Sequence, residues 1–147
     1  MDSIKEYVAR FYTCSNRING LYYLAAKALG VSENKFNLLY ELADGAEHTQ
    51  KQICTALLIP KTTLNTVVRE CVADGYMTLS GGREKRIALT EKGRGYIDGL
   101  LGGVLEAERA AMEETVAEFG ADFIPAIERF ESALGEELRR RVLGGDS

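Results

Sequence analysis

Between Lys61 and Arg69 the chain reads KTTLNTVVR, and the polar residues in it are of the kinds that bind nucleic acid. Thr62, Thr63 and Thr66 carry hydroxyls for phosphate oxygens, Lys61 adds a cation, and Arg69 can pair with a phosphate or with the edge of guanine. Asn65 has an amide able to pair with both the donor and the acceptor of adenine. No carboxylate occurs before Glu70, as expected of a surface that meets phosphates. Downstream, Arg83, Lys85 and Arg86 gather beside Gly81 and Gly82, where three cations can reach a phosphate row or a second groove.

These groups need a scaffold that presents them together. On a helix, Leu64, Val67, Val68, Cys71 and Val72 fall in one sector, centred roughly 140° from the sector of Thr62, Asn65, Thr66 and Arg69. One face therefore packs and the other is open. Pro60 suits the first turn, and Asp74-Gly75 closes the helix. Thr49 caps a shorter helix carrying Ile53, Cys54 and Leu57, and LLIP joins the two at helix-turn-helix spacing. After the second helix, YMTLS and RIALT alternate apolar and polar residues around Gly81-Gly82, which predicts a β-hairpin.

The flanks read as helices. From Ile4 to Ala28 the apolar residues recur at three- and four-residue steps, and Ser32 caps a helix bearing Phe36, Leu38, Leu39 and Leu42. GAEH is expected to be a polar loop. Thr90 caps a helix running toward Ala117, with Gly99, Gly102 and Gly103 predicting an interruption or a close helix contact. A last helix from about Asp122 presents Phe123, Ile127, Phe130, Leu134 and Leu138 as a stripe. The predicted fold is mainly α with a small β-hairpin wing.

Composition agrees with a folded domain: 46% hydrophobic and 27% charged residues are far from the profile of a disordered chain. The net charge of -4 opposes a polyanion globally. Residues 61–94, however, hold seven basic side chains against four acidic ones, a local balance of +3. No apolar run is long enough to span a membrane and the first ten residues do not resemble a signal peptide, so no membrane partner and a cytoplasmic location are expected. Three scattered cysteines without a CxxC suggest free thiols.

The order LLIPKTTLNTVVRECVADGYM, a basic hairpin, then LTEKG resembles the winged helix-turn-helix of MarR-type bacterial transcription regulators. The family's wing pattern is matched by Arg83, Leu89, Thr90 and Gly93, while Gly81 stands where the family keeps an aspartate. The resemblance implies a single MarR-like domain over 1–147, with the winged helix-turn-helix at 32–93 and dimerisation helices at 1–30 and 94–147. It further implies a homodimeric repressor that sets Lys61, Thr62, Thr63, Asn65, Thr66 and Arg69 in the major groove of a pseudo-palindromic double-stranded operator. Arg83, with Lys85 and Arg86 beside it, would approach the minor groove.

Such regulators commonly sense small aromatic effectors. Tyr12, Tyr22, Tyr23 and Tyr40 are the candidates to line a pocket, though tyrosines at these positions equally serve as core or interface packing. Some relatives sense peroxides through a cysteine of the first helix, which makes Cys14 a candidate redox sensor; a helix cysteine among apolar residues otherwise packs inertly. Cys54 and Cys71 are expected to be structural. A winged helix turned protein-interaction module is a third reading, opposed by Arg69, Arg83, Lys85 and Arg86. An enzyme is not expected. The single histidine, His48, has no partner at catalytic or metal-ligand spacing and no phosphate loop is present, so no catalytic residue, metal or cofactor is predicted.

Overall fold

The computed structural model describes residues 2–144. Among these the chain divides within its longest helix into two compact units, residues 1–104 and 105–147. The first contains α1 (Ser3–Ala28), α2 (Glu33–Glu41), β1 (His48–Thr49), α3 (Gln50–Leu57), α4 (Lys61–Ala73), β2 (Met77–Ser80), β3 (Arg86–Leu89) and the start of α5 (Glu91–Phe119). The second contains the rest of α5, α6 (Phe123–Leu138) and a π-helical turn, Arg139–Leu143. No helix of the described residues is long and apolar enough to cross a membrane.

Capping chemistry sets the element boundaries. The Ser32 hydroxyl accepts from the Lys35 N–H at 3.2 Å, and Thr49 and Gln52 form a reciprocal capping box at the start of α3. The Thr90 hydroxyl accepts from the Gly93 N–H at 3.0 Å and donates to the Gly75 carbonyl at 2.6 Å, so one side chain starts α5 and anchors the end of α4. The Lys92 ammonium adds a 2.7 Å bond to the Asp74 carbonyl, suiting the negative end of α4.

The core of the first unit lies between α2, α4, the sheet and the start of α5. Phe36, Leu38, Leu39 and Leu42 meet Leu64, Val68 and Cys71 there, with Ile53, Met77, Ile87, Ile97 and Leu101 closing the sides. Truncating a buried leucine such as Leu39 to alanine removes about 2–5 kcal/mol from such a core. Of α1 only Ala26 is buried.

The sheet has the order β1-β3-β2 and is antiparallel. Met77 pairs with Leu89 and Leu79 with Ile87, so the hairpin expected from the sequence is present. The third strand is a correction to the sequence reading, which placed His48 in a loop: His48 pairs with Ile87 and Thr49 with Arg86. His48 also has a partner that its spacing did not suggest. Its ring nitrogen lies 3.0 Å from both carboxylate oxygens of Asp44.

The glycines of α5 correct a second expectation. The helix runs unbroken from Glu91 to Phe119, and a Cβ at Gly99, Gly102 or Gly103 would meet nothing within 4 Å, so these residues neither interrupt it nor accommodate a close neighbour in this chain. In the second unit α6 buries no residue. Ile127, Leu134 and Leu138 remain 42%, 43% and 39% exposed along one stripe.

Candidate nucleic-acid interface

The two helices of the helix-turn-helix are joined by a sharp corner. Leu58 ends α3 in the left-handed region at φ 53° and is 89% exposed, after which Ile59 and extended Pro60 lead into α4. α4 turns Leu64, Val67, Val68 and Cys71 inward. Lys61, Thr62, Thr66 and Arg69 are exposed, and Thr63 and Asn65 are half-buried at the edges of that face. The open face read from the sequence is thus open in the structure.

Two of its side chains are committed to internal bonds. The Thr66 hydroxyl donates to the Thr62 carbonyl at 3.2 Å. Asn65 accepts, through Oδ1, a 2.8 Å hydrogen bond from the side-chain Nε2 of Gln50. Gln50 is the first residue of α3 and only 5% exposed. Its own N–H donates to the Lys85 carbonyl at 2.9 Å, which ties α3 to the wing.

The wing tip spans Gly81 to Lys85. Gly81 has φ +90°, and a Cβ there would lie 2.5 Å from the Glu84 carbonyl oxygen, so the tight turn requires glycine. The Lys85 ammonium closes the tip by donating to the Gly81 carbonyl at 3.2 Å. Arg83 is exposed at the tip, and Arg86 lies 3.7 Å from Glu47 in a solvent-exposed ion pair worth little by itself.

Between α3, the start of α4 and the wing tip lies a cleft of about 300 Å³ lined by Gln50, Lys51, Cys54, Lys61, Arg83, Glu84 and Lys85. Four cations face one carboxylate in this cleft. It brings Lys61 of the recognition helix together with Arg83 and Lys85 of the wing, and adds Lys51, Gln50 and Cys54, which the sequence reading did not assign to a binding surface. For Lys51 a signal was available: a basic residue two positions after the Thr49 cap, on the open side of a helix that buries Ile53.

The remaining candidates are dispersed. Tyr22 and Tyr40 meet with ring centres 6.2 Å apart, and Phe36 joins them at 6.2 and 6.3 Å. Tyr12 and Tyr23 are 68% and 51% exposed on α1. Cys14 is exposed, Cys54 half-buried and Cys71 buried. Burial pushes the Cys71 thiol above its ordinary pKa.

Residues 29–86, from the end of α1 through the wing, match the MarR family model. Over this winged-helix part the chain resembles MarR-family regulators. Solved structures extend the likeness of fold to nearly the whole chain. A MarR family regulator from Neisseria meningitidis is 21% identical, with a TM-score of 0.71 and 97% of each chain covered. A MarR family transcriptional regulator from Silicibacter pomeroyi DSS-3 is 16% identical, with a TM-score of 0.70 over 86% of this chain and 93% of the other. Reduced AbfR bound to DNA is 17% identical, with a TM-score of 0.65 over 94% of this chain and 96% of the other. No curated protein matches this chain.

Proposed function

We propose that this protein is a MarR-type homodimeric repressor that binds double-stranded DNA sequence-specifically, with α4 in the major groove and the wing beside it. The observation that carries this reading is the juxtaposition of Lys61, Arg83 and Lys85 around one cationic cleft, next to the open Thr62, Asn65, Thr66 and Arg69 face. AbfR, which shares the fold, is described bound to DNA. The dimer reading rests on exposed apolar residues of two helices, among them Ile4, Leu21 and Leu24 of α1 at 65%, 65% and 58%, and Ile127 and Leu134 of α6. A two-fold dimer presents two copies of α4 to a pseudo-palindromic operator.

Binding to duplex DNA across a salt series tests this reading. Each of Arg83→Ala and Arg86→Ala should flatten the salt dependence by about one phosphate contact, a slope change near 0.9. Unchanged affinity and slope in both would sink the wing assignment. Asn65→Ala should change the ranking of duplex sequences more than the affinity for random DNA. Leu134→Glu should convert a dimer to monomers in sedimentation equilibrium.

For the signal that releases DNA, two routes have support. An aromatic effector would lie beside the Tyr22, Phe36 and Tyr40 rings, the one place where two of the four candidate tyrosines converge. Peroxide sensing is favoured by the exposure of Cys14 and by the likeness to AbfR, described in its reduced form on DNA. Peroxide treatment of wild type and Cys14→Ser separates the two, since only the thiol route is lost in the variant.

A further inference from the structure

We propose that Gln50 turns the NH2 end of the Asn65 amide toward the open face of α4, so that at that position α4 favours guanine, whose N7 and O6 both accept, over adenine, whose N7 is flanked by the N6 amino donor. The inference rests on the DNA-binding reading above. Pairing an asparagine with adenine takes both ends of its amide: the NH2 donates to N7 and the oxygen accepts from the N6 amino group. In this protein one lone pair of that oxygen is engaged and the amide is thereby oriented, because Gln50 Nε2 donates to Asn65 Oδ1 at 2.8 Å. The two ends of a planar amide diverge. Turning Oδ1 toward a side chain only 5% exposed therefore turns Nδ2 away from it, toward the open face of α4.

The polarity of the pair follows from its surroundings. Gln50 lines the cleft that also holds Lys51, Lys61, Arg83 and Lys85, and such a cluster of cations attracts the carbonyl end of its amide and repels the NH2 end. The NH2 end is left for Asn65. Gln50 has little room to swing away and release the bond, because it is nearly buried and its backbone is anchored to the Lys85 carbonyl. Gln50 is thus a positioning residue, acting on DNA through Asn65.

Selection from a pool of random duplexes, using the purified full-length protein, tests the proposal through base preference as well as affinity. The informative position is the one that Asn65→Ala makes degenerate. Wild type should enrich guanine over adenine there. Gln50→Ala frees the Asn65 amide to turn, and adenine should rise about tenfold relative to guanine, the scale of one good base contact. Gln50→Glu can only accept, so it should turn the Asn65 amide over and favour the amino-bearing bases cytosine and adenine by a similar factor. Adenine at this position in wild type would overturn the proposal. So would Gln50 variants that weaken binding to every sequence alike with the preference unmoved, since that is the behaviour of a merely structural residue. Wild-type preference that Asn65→Ala leaves intact would refute this inference alone, whereas absence of DNA binding by wild type would refute the functional reading with it.

Discussion

Gly93 lies against the Tyr76 backbone so closely that a Cβ on Gly93 would sit 1.8 Å from the Tyr76 carbonyl oxygen. The same carbonyl accepts the Thr90 N–H at 3.1 Å, so the contact holds the hairpin exit, the start of α5 and the end of α4 at one point. The glycine of the LTEKG stretch is there for lack of room. Gly93→Ala should destabilise the protein by about 3 kcal/mol or more, because backbone must move. Gly95→Ala, two residues on, meets nothing within 4 Å and should instead stabilise by up to about 1 kcal/mol. Urea unfolding midpoints of the two variants check the opposite signs.

Leu58 holds a left-handed backbone conformation at φ 53° while its side chain is 89% exposed. A leucine there is strained by about 1 kcal/mol and gains little from burial, whereas asparagine adopts this region readily. Leu58→Asn should raise the unfolding free energy by about 1 kcal/mol, measured by denaturant titration. A loss of stability would show that Leu58 is buried in the assembled protein.

The Asp44 carboxyl is held below the usual aspartate range, first by its hydrogen bond with His48 and then by the Ala46 N–H. A depressed carboxylate pKa contributes stability that is fully present above the unfolded value, about pH 4, and is lost as pH falls through the folded value. Wild type should therefore lead Asp44→Asn by a constant margin near neutrality, and the margin should shrink below about pH 4. Thermal melts of both proteins across that range provide the measurement.

Cys71 is buried among Leu64, Val68 and the α2 leucines, and burial raises its thiol pKa, so it carries little thiolate. Cys14 is exposed. In the folded protein a thiol reagent should modify Cys14 readily and leave Cys71 untouched until denaturant is added. Mass spectrometry of the labelled peptides distinguishes the two sites.

Where local chemistry decides, the sequence was readable. α4 begins after Pro60 and ends before Asp74-Gly75 as expected, and the Ser32, Thr49 and Thr90 caps all make the bonds their positions imply. β1 was not readable, because two residues have no periodicity and His48–Thr49 is a strand only by virtue of β3 beside it. The α5 glycines misled for a related reason: each weakens a helix by about 1 kcal/mol, but good helix formers surround them and a helix already nucleated propagates through isolated defects. The site shows the same division. The polar face of α4 follows from helical phase, while the Gln50 partner of Asn65 lies 15 residues away and appears only when the corner at Leu58 brings α3 and α4 together.

Gln50 holds the wing through its backbone and the recognition helix through its amide. The consequence is evolutionary. A lineage that acquires a new operator cannot freely exchange the residue at Asn65, because whatever replaces it must still suit the nearly buried Gln50 side chain. Substitutions at positions 50 and 65 should therefore arrive together more often than singly.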